Sequence, residues 1–320
     1  MKTCQILYPL RLTAIIQPNE ASHHSLIMSS RQKYALITGC GQGGIGEALV
    51  REYTRQGLRV IATVLPCEPS THLSGTDISC FPLDVTKERS IVDLQKHVNN
   101  LTGGYLDVLV NNAGICYTMT AIDTDVAEVQ KMFDVNLFGP MRMVHHFHKE
   151  VIAAHGAIVN IGSVGGIVPY LYGSAYNSSK AALHHWSNTL RVEMKPFSVR
   201  VVTVISGEVG TNILARDQMA GRELPEESFY SPLAAEFKQH IHRVPETTNR
   251  FLYAEKVVAE SLKSSPSAWF WYGNTTAFVR FFDVVGFRTV WDYVFWIWFG
   301  LAKLRKAHYQ RSAVDFARSE

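Results

Sequence analysis

The run Thr38-Gly39-Cys40-Gly41-Gln42-Gly43-Gly44-Ile45-Gly46 limits this chain more than any other feature. It follows an apolar stretch, Lys33–Thr38. It opens Ile45–Gln56, where apolar positions recur with helical period until Gly57 stops them. Glycines let backbone amides come close to a pyrophosphate, and the amino end of a helix adds partial positive charge. Gly41-x-Gly43-x-x-Gly46 fits the dinucleotide fingerprint, and the strand–turn–helix setting gives that fit its weight. The same template expects an acid about 20 positions on, to hold a ribose hydroxyl. The next strand ends Thr63-Val64-Leu65, which offers neither an acid for NAD nor a base for the 2′-phosphate of NADP. On the residues alone, the choice between NAD and NADP stays open.

The alternation continues beyond the turn. Arg59–Leu65, Ile78–Val85, Leu106–Asn111, Ala157–Ile161, Val199–Ile205 and Ala268–Trp271 read as further strands. Helical stretches fall between them, a long one near Val126–Ala154 and another through Tyr176–Met194. Strands and helices in turn predict an α/β fold, a Rossmann-like, doubly wound parallel sheet of about seven strands. Ligands in such sheets sit at the carboxyl ends of the strands, where strand order reverses. Residues 207–250, polar and proline-bearing, show no strand pattern and read as a lid inserted over that edge.

Composition agrees with a large core. Of 320 residues, 47% are hydrophobic and 18% charged, which excludes disorder, collagen and coiled coil. A net charge of +3 is too small to indicate nucleic acid, and residues 303–320 carry all of it: Lys303, Arg305, Lys306, Arg311 and Arg318 against Asp315 and Glu320. Cys4, Cys40, Cys67, Cys80 and Cys116 are odd in number and include no C-x-x-C pair, so reduced thiols are expected rather than a disulfide framework or zinc site. Residues 1–30 lack the unbroken apolar core of a secretory signal and read as a disordered leader, or as sequence preceding a true start at Met28.

The C-terminal segment stands apart. Residues 268–302 hold fourteen of the chain's 35 aromatic residues, interrupted by Arg280, Asp283, Arg288 and Asp292. The uncharged run from Tyr293 to Ala302 is half the ~20 residues of a spanning helix. Aromatics with scattered charges and a basic end predict a helix lying in a membrane interface, so 273–320 reads as a peripheral or monotopic membrane tail. A helix pair packed on the domain, or closing a dimer, is the plainer alternative.

Tyr176-Asn-Ser-Ser-Lys180 opens a helix, and the four-residue spacing puts both side chains on one face. An ammonium one turn from a phenol favours the phenolate, and acid–base work needs a pKa below the ~10 of free tyrosine. Y-x-x-x-K alone is common on solvated helices. Here Ser163, at the end of a strand, lies thirteen residues before Tyr176, within reach of the same point. Asn136 and the Asn111-Asn112-Ala113-Gly114 turn complete the set.

In this order, these motifs resemble the short-chain dehydrogenase/reductase family over about residues 31–272. The resemblance implies an oxidoreductase acting on a small-molecule ketone or alcohol with NADP(H), NAD(H) being the alternative. Tyr176 would be the general acid in carbonyl reduction, and Lys180 would lower its pKa and hold the nicotinamide ribose. Ser163 would bond the substrate carbonyl, and Asn136 would order a water in a relay to Lys180. Gly39, Gly41, Gly44, Ile45 and Gly46 would form the phosphate turn. Asn111, Ala113 and Gly114 would shape the adenine side with Asp84, while Val209 and Thr211 would close over the carboxamide. The glycine turn is one residue longer than usual, Ser206 stands where proline is common, and Leu65 where NADP-preferring members often carry a base.

Within that family, the extended turn, Glu193–Arg200 and the aromatic C-terminus are similar to fungal NADPH-dependent 1-acyldihydroxyacetone-phosphate reductases of endoplasmic reticulum and lipid-droplet membranes. Relatives acting on polyketide or terpenoid ketones in fungal secondary metabolism share the same motifs. A non-catalytic NADPH-binding scaffold on lipid droplets, and alcohol oxidation in reverse, are the remaining readings. His145, His146, His148, His184 and His185 have no spaced carboxylate or cysteine, so no metal is expected; they read as surface histidines or as lining a homodimer contact. Arg142 and Arg191 read as solvated. A substrate phosphate would be sought at Arg216, Arg222 or Arg243 in the lid.

Overall fold

Each strand forms where the sequence is a short, mostly apolar run suited to burial on both faces. β1 (Tyr34–Ile37), β2 (Arg59–Val64), β3 (Ile78–Pro82), β4 (Val108–Asn111), β5 (Ala157–Ile161), β6 (Arg200–Ser206) and β7 (Trp269–Tyr272) make one sheet in the order 3-2-1-4-5-6-7. Every neighbouring pair is parallel. The computed structural model describes residues 31–287 and 289–319. Expectations for residues 1–30, Arg288 and Glu320 lie outside them, as do those for the side-chain charges of Arg311, Asp315 and Arg318, where the backbone alone is described.

Helices cover both faces. α1 (Ile45–Arg55) joins β1 to β2, and α2 (Glu88–Thr102) joins β3 to β4. α3 (Val126–Phe133) and α4 (Gly139–Ala153) lie between β4 and β5, and α5 (Ser174–Met194) leads towards β6. Between β6 and β7 come α6 (Ile213–Met219), α7 (Ala234–Ile241) and α8 (Arg250–Ser261). On one face Leu49 and Tyr53 of α1 pack with Tyr253 and Val257 of α8. On the other, Ile91 and Leu94 of α2 meet Met143 and Phe147 of α4 and Leu190 of α5. Strand order reverses between β1 and β4, so the crevice of a doubly wound sheet opens there.

Two expected elements differ in detail. The long helix is broken: Asp134–Phe138 winds as a π turn between α3 and α4. Pro140 lacks the N–H that would bond the Asn136 carbonyl, so the regular ladder cannot run through this point. Arg142, expected to be solvated, instead braces the turn, its Nη2 2.7 Å from Asp134 Oδ1. The lid is more ordered than its sequence suggests, holding α6 and α7 and making isolated bridges from Glu208 to Asn274 and Val209 to Thr248.

The aromatic C-terminus folds as α9 (Thr276–Val285), α10 (Val290–Trp298) and α11 (Leu301–Ser319), three helices rather than one. Val279 of α9 and Trp291 and Phe295 of α10 are buried against Val168, in the loop after β5, with Ile167, Tyr170 and Trp271 around them. Their other faces leave Phe281, Val284, Val285 and Tyr293 exposed, and Phe287 is exposed between the two helices. No helix among the described residues is long and apolar enough to cross a membrane.

Candidate active site

A cavity of about 1050 Å³ runs along the carboxyl ends of the strands. Its first wall is the glycine turn. Gly39 takes φ +70°, and a Cβ there would sit 2.8 Å from the Ala113 Cα. Gly46 is seated against the Gly39 carbonyl, where any side chain would collide. Main chain thus replaces side chain at the amino end of α1, as close approach to a pyrophosphate requires. The extra residue of the turn is accommodated locally: the Gly43 amide donates to Glu47 Oε2 (2.7 Å), and Asn212 Nδ2 of the lid donates to the Gln42 carbonyl (2.8 Å). The cradle, the neighbouring helix terminus and the cavity's volume fit a dinucleotide.

Gly39, Gly41, Gly44, Ile45, Asp84, Ala113, Gly114, Val209 and Thr211 all line the cavity. Asn111 and Gly46 do not. The Asn111 side chain is buried and donates to Asn160 Oδ1 (2.8 Å), which continues through Asn160 Nδ2 to Ser187 (2.8 Å). Its neighbour Asn112 lines the cavity instead, donating from Nδ2 to the carbonyls of Thr38 (2.8 Å) and Gly39 (2.9 Å). In a strand successive side chains alternate, so of two adjacent asparagines at its end only one can face the turn.

Ser163, Tyr176 and Lys180 meet at the middle of the cavity. β5 delivers Ser163 at its end, and the first two turns of α5 carry the other two. Ser163 Oγ accepts from the Gly165 amide (3.0 Å) and hydrogen-bonds to the Tyr176 phenol. Lys180 is 5% exposed, and its Nζ donates to the Ile161 carbonyl (2.9 Å) and lies 5.8 Å from the centroid of the Tyr176 ring. Burial draws its pKa down to about 8. The Tyr176 phenol moves the other way from expectation. Burial raises its pKa, the Cys116 thiol adds to the rise, and the Ser163 bond offsets only part of it. Lys180 makes its hydrogen bond to a carbonyl and not to the phenol, so the ammonium does not hold a phenolate here. The tyrosine is a protonated donor.

Asn136 lies behind these residues. Its Oδ1 accepts from the Ile115 amide (2.9 Å), while Nδ2 donates to the Ile115 carbonyl (3.0 Å) and to Ser179 Oγ (3.1 Å). The amide is fully engaged and makes no direct bond to Lys180. It fixes the strand-end loop to α5.

Several site residues had no clear sign in the sequence. His184, read as a surface or interface histidine, is buried under the catalytic loop at 3% exposure. Its Nε2 accepts from the Ser163 amide (3.2 Å), and its ring fills the space that the missing side chains of Gly162 and Gly166 leave. Burial first, and then Lys180, depress its pKa to about 3, so it stays neutral. Its place four residues after Lys180, on the same helical face, was the available clue. Cys116 lines the cavity, its thiol pushed up to about 12 by burial. Ser206 replaces the usual proline with a hydroxyl that hydrogen-bonds to buried Tyr253. The far wall is aromatic: Tyr170, Tyr172, Phe278, Trp291, Phe295 and Phe299.

The lid arginines separate. Arg222 pairs with Asp217 and lies over the Tyr117 ring. Arg216 reaches Glu68 at the glycine turn (2.6 Å). Arg216 and Arg243 both line the cavity; Arg243 stands beside Tyr170 and His240, donating to the His240 carbonyl (3.0 Å).

Residues 33–220 match the short chain dehydrogenase family. Short-chain dehydrogenase virD of Hypocrea virens is 65% identical over 281 residues, covering 88% of this chain and 97% of its own. The NADPH-dependent 1-acyldihydroxyacetone phosphate reductase of Schizosaccharomyces pombe is 41% identical over 203 residues, 63% of this chain and 69% of its own. A short-chain dehydrogenase from Streptomyces avermitilis shares the fold with a TM-score of 0.66 at 23% identity, over 88% of this chain and 99% of that one. ElxO, solved with NADP bound, gives 0.62 at 25% identity, over 75% and 96%.

Proposed function

This chain belongs to the short-chain dehydrogenase/reductase family, and from that premise we propose that it reduces a ketone on a bulky apolar substrate with NADPH. The observation that carries the reading is the half-buried Tyr176 beside Ser163 and Lys180, at the junction of a glycine-walled and an aromatic-walled half of one cavity.

The bound cofactor supplies the hydride. Gly39, Gly41, Gly44, Ile45, Ala113 and Gly114 would hold it, with Asp84 at the adenine and Val209 and Thr211 at the carboxamide. Tyr176 gives its proton to the substrate oxygen as negative charge develops, and the Ser163 hydroxyl bonds the same oxygen. Lys180, with a pKa near neutrality, returns a proton towards the phenol side of the site. Asn136 keeps Ile115 and Ser179 in place around it.

Two substrate classes compete. An acyl dihydroxyacetone phosphate needs a cluster of cations, yet Arg222 is paired with Asp217 and Arg216 sits at the cofactor end, leaving Arg243. The aromatic wall instead favours a polyketide- or terpenoid-type ketone. The exposed rings of α9 and α10, with Lys303, Arg305 and Lys306 following, support peripheral attachment of 273–320 to an endoplasmic reticulum or lipid-droplet surface. The test is NADPH oxidation with a panel of polycyclic, long-chain and acyl-phosphate ketones, with the alcohol identified as product. No turnover across the panel overturns the reductase reading; preference for the acyl phosphate overturns the substrate class.

A further inference from the structure

NADP differs from NAD by a dianionic 2′-phosphate, which needs a cation at the adenosine end of the site. Leu65, at the end of β2, lines the cavity and supplies none. Among the described residues lining the cavity, the Lys and Arg side chains are Lys180, Arg216 and Arg243. Lys180 belongs to the catalytic helix, and Arg243 stands beside Tyr170 among the substrate-end aromatics. Arg216 alone faces the glycine turn. A Cβ built on Gly41 would lie 3.3 Å from its Nη2 and 3.0 Å from Glu68 Oε2, so the guanidinium crosses directly over that turn.

We propose that Arg216, carried by lid helix α6, is the 2′-phosphate ligand of this enzyme, in place of a base at the end of β2. The inference rests on the NADPH reading above. The Arg216–Glu68 pair is 2.6 Å long, with the arginine side chain 55% exposed. The guanidinium stands in solvent although the Glu68 side chain is only 19% exposed, so screening weakens the pair and a dianion can take the guanidinium over. One N–H of the fork is engaged by Glu68, leaving others for phosphate oxygens. Until then Glu68 aims the guanidinium across Gly41. The lid is already tied to the turn by Asn212 at Gln42, four residues before Arg216, so binding the phosphate also holds the lid closed.

The test is direct binding to the full chain, by calorimetry, of NADPH, NADH, 2′,5′-ADP and 5′-AMP. Arg216→Gln is expected to weaken NADPH and 2′,5′-ADP roughly 10- to 100-fold, the worth of hydrogen bonds to a charged group. NADH and 5′-AMP should stay within about twofold. Glu68→Gln, which removes the competing carboxylate but keeps the arginine, should tighten 2′,5′-ADP and leave 5′-AMP unchanged. Equal weakening of all four ligands in Arg216→Gln would assign Arg216 to lid closure alone and overturn the proposal. So would a Glu68→Gln protein that loses NADH selectively, since Glu68 would then be a ribose ligand. Wild type that oxidises NADPH with a ketone while Arg216→Gln binds all four normally sinks only this inference. Wild type inactive with both cofactors sinks the reading beneath it.

Discussion

The two ends of the cavity are built from different kinds of sequence. The cofactor end is local: a strand, a tight turn and a helix terminus after β1, flanked by the ends of β3 and β4, with main chain as its working surface. The substrate end is assembled from the loop after β5, the lid and helices α9 and α10, which come together only in the folded chain. Main-chain cradles tolerate little change because a single Cβ fills them. Side-chain walls tolerate change as long as volume and polarity are kept. The cofactor end is therefore the constant part of such an enzyme, and the substrate end the part that sets what it acts on.

The sharpest way to break this division is at the junction. Tyr176→Phe removes the proton donor and leaves both walls intact, so turnover should fall on the order of 10²- to 10⁴-fold. Affinity for NADPH, measured by fluorescence titration, should stay near wild type. A matching loss of cofactor affinity would show that the phenol belongs to the cradle rather than to the chemistry.

The same contrast explains what the sequence made legible. The glycine turn, Ser163 and the Tyr176–Lys180 spacing follow from neighbours along the chain, and the structure places each of them on the cavity. Of Asn111 and Asn112 the motif names both, and only the pleat of β4 decides which faces the turn. His184 was out of reach because its role depends on Gly162 and Gly166, about twenty residues away, making room for an imidazole. The spacing of Tyr176 and Lys180 shows their proximity, whereas the burial that shifts both pKa values is a property of the fold. The aromatic tail was visible as composition, yet the division of its faces between cavity and surface is a property of packing.

A gentler probe acts on the substrate wall alone. Phe295, 5% exposed, packs in a stacked pair with Trp291 and edge-on to Tyr170. Phe295→Leu should raise KM for a polycyclic ketone several-fold, leave KM for NADPH unchanged, and lower Tm by a few degrees as aromatic contact is lost. Uniform change in both KM values would mean that the wall supports the whole cavity and the two ends are not separable. Removing Phe281 and Phe287 together, both exposed, should cut co-flotation with anionic vesicles without altering turnover of a soluble ketone. Flotation equal to wild type would detach the tail from membranes.

The smallest effect tests how the junction is held. His184 is neutral in the fold, with a pKa depressed to about 3, whereas an unfolded histidine titrates near 6.5. Between those values the unfolded chain binds the extra proton, so this residue's contribution to stability is complete above about pH 6.5 and is lost as pH falls towards 3. His240, depressed to about 3 by burial and then by Arg243, acts in the same direction at the substrate end. His184→Gln keeps an acceptor for the Ser163 amide but cannot titrate, so denaturant midpoints between pH 6.5 and 4 should decline less steeply, with turnover near wild type at pH 7.5. His184→Leu removes the acceptor as well, leaving a buried amide unpaired at a cost of about 1–3 kcal/mol. Its turnover should fall at every pH while NADPH affinity holds, because the displaced group is Ser163 and not the glycine cradle. If leucine and glutamine behave alike, the ring only fills the notch, and the position of Ser163 is set by β5 itself.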